Sequence, residues 1–538
     1  MRHGFFGSRQ ELTNRFPQLH PAHESYRWWV LGTVMIATFM AVLDATITNV
    51  ALPNLMASFG VSVDTVEWIL TAYLLVFAVM LPSSGWFADH WGYKRTFVLG
   101  LVLFTLGSFF SSLSWSFEVL IVSRVIQGGG AGFLLPVGMA IITREFPPEK
   151  RGIALGFWSV ASSASVSLGP AIGGYLIDNY SWHTIFDVNV PIGIMGLFAA
   201  IVIVRENRAD EKRAFDFLGF ISLSAFLTTL LLALSDGNAA WNTGGWTSPF
   251  ILTNFAIAAV ALVVFLIAEF TVKHPLIEID LFKSVNFTIS NIVLFIFGLG
   301  MFGGNFLLPI YLQNSLGYTP LQAGLVFLPV GILLGITAPF AGLFADKYSA
   351  KIPPIIGLAL LALTFYQFSF LSSMSEKAQI MLPLYIRGIA MGLIFSPLTT
   401  LAISEITNRK MAQASGLINV IRQVGGSFGV AIFGAILTQR AVFHSSIYGG
   451  QLEAKSTAFI GTITRLRYFA EQAGGATVDQ ATQQANALVA MFVRNEAFIQ
   501  AVDDVFLIAA FTLIVSIIPL FFLHPKRKKA KAGLPAME

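Results

Sequence analysis

The chain has 538 residues, 55% of them hydrophobic and only 12% charged, with a net charge of +4 and no cysteine. Soluble domains carry roughly 25% charged residues, and a chain this long in water divides into charge-coated domains, so the solvent for most of this one is lipid. Disulfides, thiolate metal sites and cysteine nucleophiles are excluded outright.

Residues 1–27 are polar, carry Arg2, Arg9, Arg15 and Arg27, and lack the short apolar core and cleavage site of a secretory signal. They read as a cytoplasmic tail, and Trp28-Trp29 marks the interface where the first span begins. A span needs roughly 20 apolar residues. Fourteen stretches qualify: 29–50, 66–86, 96–114, 119–142, 153–177, 184–204, 217–235, 249–270, 286–312, 321–344, 353–371, 380–402, 415–439 and 503–523. In lipid each must satisfy its own backbone, so each is expected to be a helix. With the N-terminus inside, 24 of the 33 Lys and Arg fall in cytoplasmic segments, including the tail from Lys526 to Lys531, whereas the six short outer loops hold Lys377 alone. That asymmetry orients the chain with both termini cytoplasmic. The long segment 440–502 holds Arg440, Lys455, Arg465, Arg467 and Arg494, and is of the length the rule exempts. The remaining cations, Arg124, Arg387 and Arg422, lie inside spans.

The turn after span 2 reads Gly85-Trp86-Phe87-Ala88-Asp89-His90-Trp91-Gly92-Tyr93-Lys94-Arg95, and Gly342-Leu343-Phe344-Ala345-Asp346-Lys347 repeats it 257 residues later, after span 10. Arg124 of span 4 has a counterpart in Arg387 of span 12. Gly156, Gly169, Ala171-Ile172 and Gly174 of span 5 return with the same spacing as Gly416, Gly429, Ala431-Ile432 and Gly434 of span 13. Such self-similarity marks two related halves. The expected division is a tail over 1–28, a six-helix bundle over 29–204, a two-helix insert over 205–285, a second six-helix bundle over 286–523 that includes a periplasmic loop 440–502, and a basic cytoplasmic tail over 524–538.

These residues resemble the major facilitator superfamily, in its fourteen-span drug:proton antiporter branch, and most of all the Emr-type efflux permeases of Gram-negative inner membranes. The resemblance rests on Leu43-Asp44-Ala45-Thr46-Ile47-Thr48-Asn49-Val50-Ala51-Leu52-Pro53 in span 1, the Asp89 turn, and Arg124-Val125-Ile126-Gln127-Gly128 in span 4. It rests equally on the antiporter motif Gly169-Pro170-Ala171-Ile172-Gly173-Gly174, on Asn189-Val190-Pro191-Ile192-Gly193, Phe215-Asp216-Phe217-Leu218-Gly219, and Arg422-Gln423-Val424-Gly425-Gly426-Ser427. It implies an all-α polytopic membrane protein with 14 transmembrane helices, in two six-helix bundles plus two inserted helices. It implies alternating access driven by the proton gradient with no cofactor or metal, export of hydrophobic or amphipathic compounds, and work with a periplasmic adaptor and an outer-membrane channel. Departures stand at His90 and Tyr93, where basic residues are usual, so that Lys94 or Arg95 would have to partner Asp89. Others are His183 for Arg, Asp187 for an aromatic, and Ser165 for Gly, which would loosen helix contact there.

Asp44 lies about 16 residues, or roughly 24 Å, into span 1, at a depth similar to that of Arg124. A buried carboxylate beside a cation can bind and release a proton as access changes; the plainer alternative is a fixed packing clamp. Glu67, at the outer start of span 2, reads first as a solvated helix-start carboxylate and second as a further proton site. Gly85, Asp89, Gly92, Lys94, Arg95 and Asp346 are the candidate cytoplasmic gate, and Gly169, Pro170, Gly173 and Gly174 a kinked sealing surface. Asn49, Gln127, Asn305, Arg387, Asn419, Arg422 and Gln423 are candidate cavity residues. Helix-to-helix hydrogen bonding is the alternative for the amides and for Asn291, and a buried cation satisfied by carbonyls and hydroxyls is the alternative for Arg387 and Arg422. In 440–502, residues 478–500 form a helical pattern with Ala485, Leu488, Val489, Phe492 and Val493 on one face, either lying on the membrane surface or docking an adaptor. Export of one metabolite, fatty acid or siderophore is the alternative function. A membrane-embedded receptor or enzyme is disfavoured because no phosphate-loop or H-E-x-x-H motif is present.

Overall fold

The computed structural model describes residues 23, 25–207, 214–237, 241–273, 275–277, 279–406, 411–451, 456–474 and 477–523. Most of the N-terminal tail and the whole basic C-terminal tail lie outside these. In the N-terminal half the helices are α1 Tyr26–Phe59, α2 Val63–Val66, α3 Trp68–Trp91, α4 Tyr93–Ser112, α5 Phe117–Glu145, α6 Pro148–Asn179, α7 Thr184–Asp187 and α8 Asn189–Ile203. The inserted pair is α9 Phe217–Asp236 and α10 Pro249–Thr271. The C-terminal half has α11 Val285–Asn314, α12 Pro320–Leu325, α13 Leu328–Lys347, α14 Ile352–Phe368, α15 Lys377–Ile403, α16 Met411–Gln451, α17 Thr457–Gly474 and α18 Val478–Leu520.

Among the described residues twelve helices are long and apolar enough to cross a membrane. With the 17-residue α14 and the 32-residue α6 they account for the fourteen expected spans. Helix starts follow local chemistry: Ser116, Asp216, Ser248 and Ser284 each accept a backbone N–H of the first turn, and Thr319 with Gln322 forms a reciprocal capping box. Gly92, with φ 107°, turns the chain between α3 and α4, a conformation open to glycine and strained for other residues.

The two halves repeat the same packing pairs. In the first, α1 lies on α6, α3 on α5 and α4 on α5; in the second, α11 lies on α16, α13 on α15 and α14 on α15. Helix α8 touches α1 and α4 as α18 touches α11 and α14. The halves meet through α6 against α12 and α13, α3 against α16, and α1 against α11. Helix α9 covers the α3–α16 seam from outside, with Leu223, Leu227 and Leu231 packed on Leu75, Val79 and Ala431, while α10 packs chiefly on α9. The insert therefore lies outside the two bundles.

Among its described residues, segment 440–502 is largely helical rather than a loop. Helix α16 has 41 residues and α18 has 43, roughly 60 Å each at 1.5 Å per residue, twice the hydrocarbon thickness of about 30 Å. Both run on past the apolar layer, with α17 packed against α18 between them. Residues 478–500 thus continue span 14 rather than lie flat on the membrane. Their buried residues are Ala481, Ala485, Ala497 and Ile499, whereas Leu488 and Phe492 are exposed.

Candidate functional site

Asp44 sits mid-helix on α1, wholly buried, where four other helices converge on it. Its Oδ2 accepts from Arg124 of α5 at 2.5 Å. Its Oδ1 accepts from Gln127 Nε2 at 2.8 Å and from Asn189 Nδ2 of α8 at 3.0 Å. Arg124 and Gln127 stand one helical turn apart, so one face of α5 offers both donors; the guanidinium also donates to Gln127 Oε1 at 2.6 Å. Arg124 Nε donates to the Ile69 carbonyl in the first turn of α3 at 3.1 Å, and its plane lies 4.3 Å from the centre of the Tyr73 ring. Asn189 is steadied in turn by Ser108 of α4, 3.1 Å away. Asp44 and Arg124 were expected here from the sequence; Gln127 was expected at the cavity or in helix-to-helix hydrogen bonding, and Asn189 and Ser108 were not assigned to the site. The signal for Asn189 was its place in the Asn189–Gly193 motif.

Removing one partner of such a buried ion pair costs about 3–5 kcal/mol. The cluster borders a small cavity lined by Ala45, Asn49, Leu70, Tyr73, Leu74, Arg124, Phe302 and Val430. A second cavity lies between the halves and is lined by Thr46, Asn49, Pro170, Asn305, Phe327 and Met391 among others. Asn49 borders both. Asp44 is one layer behind these walls, with Arg124 between it and the space.

Arg387 holds the corresponding place in the C-terminal half, but its partner is an amide. It donates to Asn305 Oδ1 and to the Met301 carbonyl at 3.3 Å, while Nε and Nη1 have no hydrogen-bond partner. Arg422 donates to Asn419 Oδ1 at 3.3 Å and lies 4.9 Å from the Phe395 ring centre. Gln423 is buried on the same helix.

The antiporter motif faces two ways. Gly169 and Gly173 rest on Thr46 and Ile47 of α1, while Gly174 meets the Pro320 carbonyl and Leu321 of α12; from the other side, Gly324 of α12 meets the Pro170 carbonyl. Leu321 N donates to Asp178 at 3.1 Å and Gln313 to the Val50 carbonyl at 2.9 Å. These contacts close the halves on the face opposite Asp89. Ser165 does not loosen this packing: its hydroxyl donates to the Phe39 carbonyl of α1 at 3.0 Å. His183 is drawn inward, its Nδ1 2.6 Å from the Ser112 carbonyl.

The Asp89 turn also departs from expectation. Neither Lys94 nor Arg95 holds Asp89, because Tyr93 does: its hydroxyl donates to Asp89 at 2.7 Å and accepts from Arg144 at 2.8 Å. Lys94 bonds the Ile201 carbonyl and Arg95 pairs with Glu206 at 3.4 Å. A side chain at Gly92 would overlap Glu206, so this glycine serves both turn and packing. The side chain of Asp346 lies outside the described residues. Glu67 is not solvated: it is wholly buried and accepts from Ser235 of α9.

The sequence model of the Major Facilitator Superfamily matches residues 34–430. The chain is 32% identical over 494 residues to the multidrug export protein EmrB of Escherichia coli, covering 91% of this chain and 94% of that one. It is 30% identical over 499 residues to the uncharacterized MFS-type transporter YhcA of Bacillus subtilis, covering 93% of each. Among solved structures, a bacterial homolog of the human lysosomal transporter Spinster, inward-facing and occupied, superposes with a TM-score of 0.60 at 16% identity, over 93% of this chain and 97% of that one.

Proposed function

The chain belongs to the Major Facilitator Superfamily, and from that premise we propose that it exports hydrophobic or amphipathic small molecules across a bacterial inner membrane in exchange for protons. The observation that carries this reading is the buried Asp44–Arg124–Gln127–Asn189 cluster beside the cavity between the halves. Asp44 is the proton carrier and Arg124 the group that competes for it. When the cavity changes face, water reaches the cluster, the Arg124 contact loosens and Asp44 takes a proton; its return to Arg124 releases one. No cofactor enters the cycle.

With both termini in the cytoplasm, the closed face is periplasmic and the Asp89 face cytoplasmic. Gly85, Asp89, Gly92, Lys94, Arg95 and Asp346 form the inner gate, Asp89 resting on Tyr93 and Arg144 while that gate is open. Gly169, Pro170, Gly173 and Gly174 form the outer seal. Asn49, Gln127, Asn305, Arg387, Asn419, Arg422 and Gln423 line or border the substrate path, and soft Phe and Met surface such as Phe327 and Met391 accommodates varied apolar shapes. The extramembrane parts of α16–α18 dock a periplasmic adaptor that leads to an outer-membrane channel.

The test is proton release on adding a lipophilic dye to the detergent-solubilised protein. Wild type should release protons and Asp44→Asn should not, while still binding dye. Equal release from both removes Asp44 from the role. Should dyes fail to bind while a single metabolite, fatty acid or siderophore evokes release, the protein is a dedicated exporter with the same coupling.

A further inference from the structure

We propose that Glu67 is a proton-operated seal on the face opposite Asp89, a positioning residue that must be neutral for the two halves to close there. The proposal rests on the alternating-access reading above but not on Asp44 as the carrier. Glu67 lies between α2 and α3, where the N-terminal half, the inserted helix α9 and the C-terminal half meet. It is wholly buried. Its Oε1 accepts from Ser235 of α9, and Oε2 has no hydrogen-bond partner. The carboxyl is pressed onto the backbone of α16 at Gly434, where a Cβ would occupy the place of Oε2.

The charges around it make the contrast with Asp44. Among the described residues, the ionisable groups acting on Glu67 are Asp64 on α2 and Asp236 at the end of α9, both acidic. Asp236 accepts from Trp68 Nε1 at 3.3 Å. On α16 the next ionisable groups toward that face, Arg440 and His444, are both held by Asp504, at 2.6 and 2.7 Å. A carboxylate stripped of water, without a cation and beside two acids, is expelled from such a seam, whereas the neutral acid fits it. When the halves part on this face, water reaches the carboxyl, its O–H bond breaks, and the proton passes to water while the carboxylate remains solvated. Closure reverses the step. The proton is taken up from and returned to the same face, so Glu67 adds nothing to transport stoichiometry and acts on the return step alone.

The seal is tied to the coupling site. Ile69, two residues on, offers the carbonyl that holds Arg124 Nε, so movement of this first turn of α3 disturbs the Asp44 pair. The insert supplies the Ser235 donor and packs along the same seam, which gives α9 a role in the gate.

The test uses the absence of native cysteine. A single cysteine, Leu74→Cys, lines the cavity inside the seal, and its labelling by an impermeant maleimide from the face opposite Asp89 reports opening. Rates are taken relative to a free thiol at the same pH, because the thiol's own titration at about 8.5 also speeds maleimide labelling. In this background the relative labelling should speed up by as much as about tenfold per unit of rising pH through the titration, the limit for one linked proton. Adding Glu67→Gln should make it slow and independent of pH. Gly434→Ala should make it fast at every pH, since its Cβ props the seam open; this arm stands even if Glu67→Gln does not fold. A pH profile in Glu67→Gln like that of its parent, or labelling of Gly434→Ala at the parent's rate, would overturn the proposal. Asp44→Asn should keep the labelling profile while losing proton release. If Asp44→Asn alone abolishes the profile, the seal idea falls and the Asp44 reading stands; if proton release survives in Asp44→Asn while Glu67→Gln flattens the profile, the reverse holds.

Discussion

Asp44 and Asn305 occupy matching places in the two halves, 261 residues apart, each facing an arginine of its own half. The exchange of a carboxylate for an amide makes the halves chemically unequal: only the first has a charge to lose. Arg124→Ala would leave Asp44 buried without its cation, a loss of about 3–5 kcal/mol. Arg387→Ala removes hydrogen bonds but strands no anion, so about 1–3 kcal/mol is expected. Adding Asp44→Asn to Arg124→Ala should restore part of the lost stability, because the stranded charge is then gone. Thermal unfolding in detergent checks this, and strictly additive losses would show the two groups to be uncoupled.

Between elements, closure on the face opposite Asp89 depends on backbone approaching backbone. Gly174 and Gly324 each press on a carbonyl of the facing helix, and a side chain at either meets main-chain atoms that cannot move aside as a flexible side chain can. Gly324→Ala should therefore shift the protein toward the state open on this face. Spin labels placed across it, on α6 and α12, should read a longer mean separation than in the parent. An unchanged distance distribution would mean that the seal is made elsewhere. Gly32 has open space where its Cβ would lie, so Gly32→Ala makes a matched control without effect on that distance.

At the scale of the whole molecule, α16, α17 and α18 carry apolar side chains well past the membrane, among them Val442, Phe443, Tyr468, Phe469, Met491 and Phe492, all exposed. Exposed apolar surface on a rigid projection is suited to a protein partner. Shortening 450–498 should abolish drug resistance in whole cells and spare substrate-driven proton exchange in inverted vesicles. Loss of both activities would assign the projection to folding instead.

Sequence alone determined that the chain is membrane-embedded and helical, where its spans lie, and that its halves are related. Lipid makes these properties local, because every span must satisfy its own backbone and the apolar run itself carries the signal. Asp44, Arg124 and Gln127 were legible for the same reason: a polar side chain in an apolar run stands out. What only tertiary structure decided depends on contacts between distant segments. Asn189 and Ser108 join Asp44 from residues 145 and 64 positions along the chain. Tyr93 takes the place of a basic residue because its hydroxyl passes the charge of Arg144 to Asp89. Segment 440–502 looked like a loop since its polar residues end the apolar runs, yet helix outlasts apolarity where two helices can pack outside lipid. Glu67 carried every local mark of a solvated helix start. Whether a carboxylate meets water or a glycine is settled by which helix comes to rest against it, and here that helix is α16, more than 360 residues away.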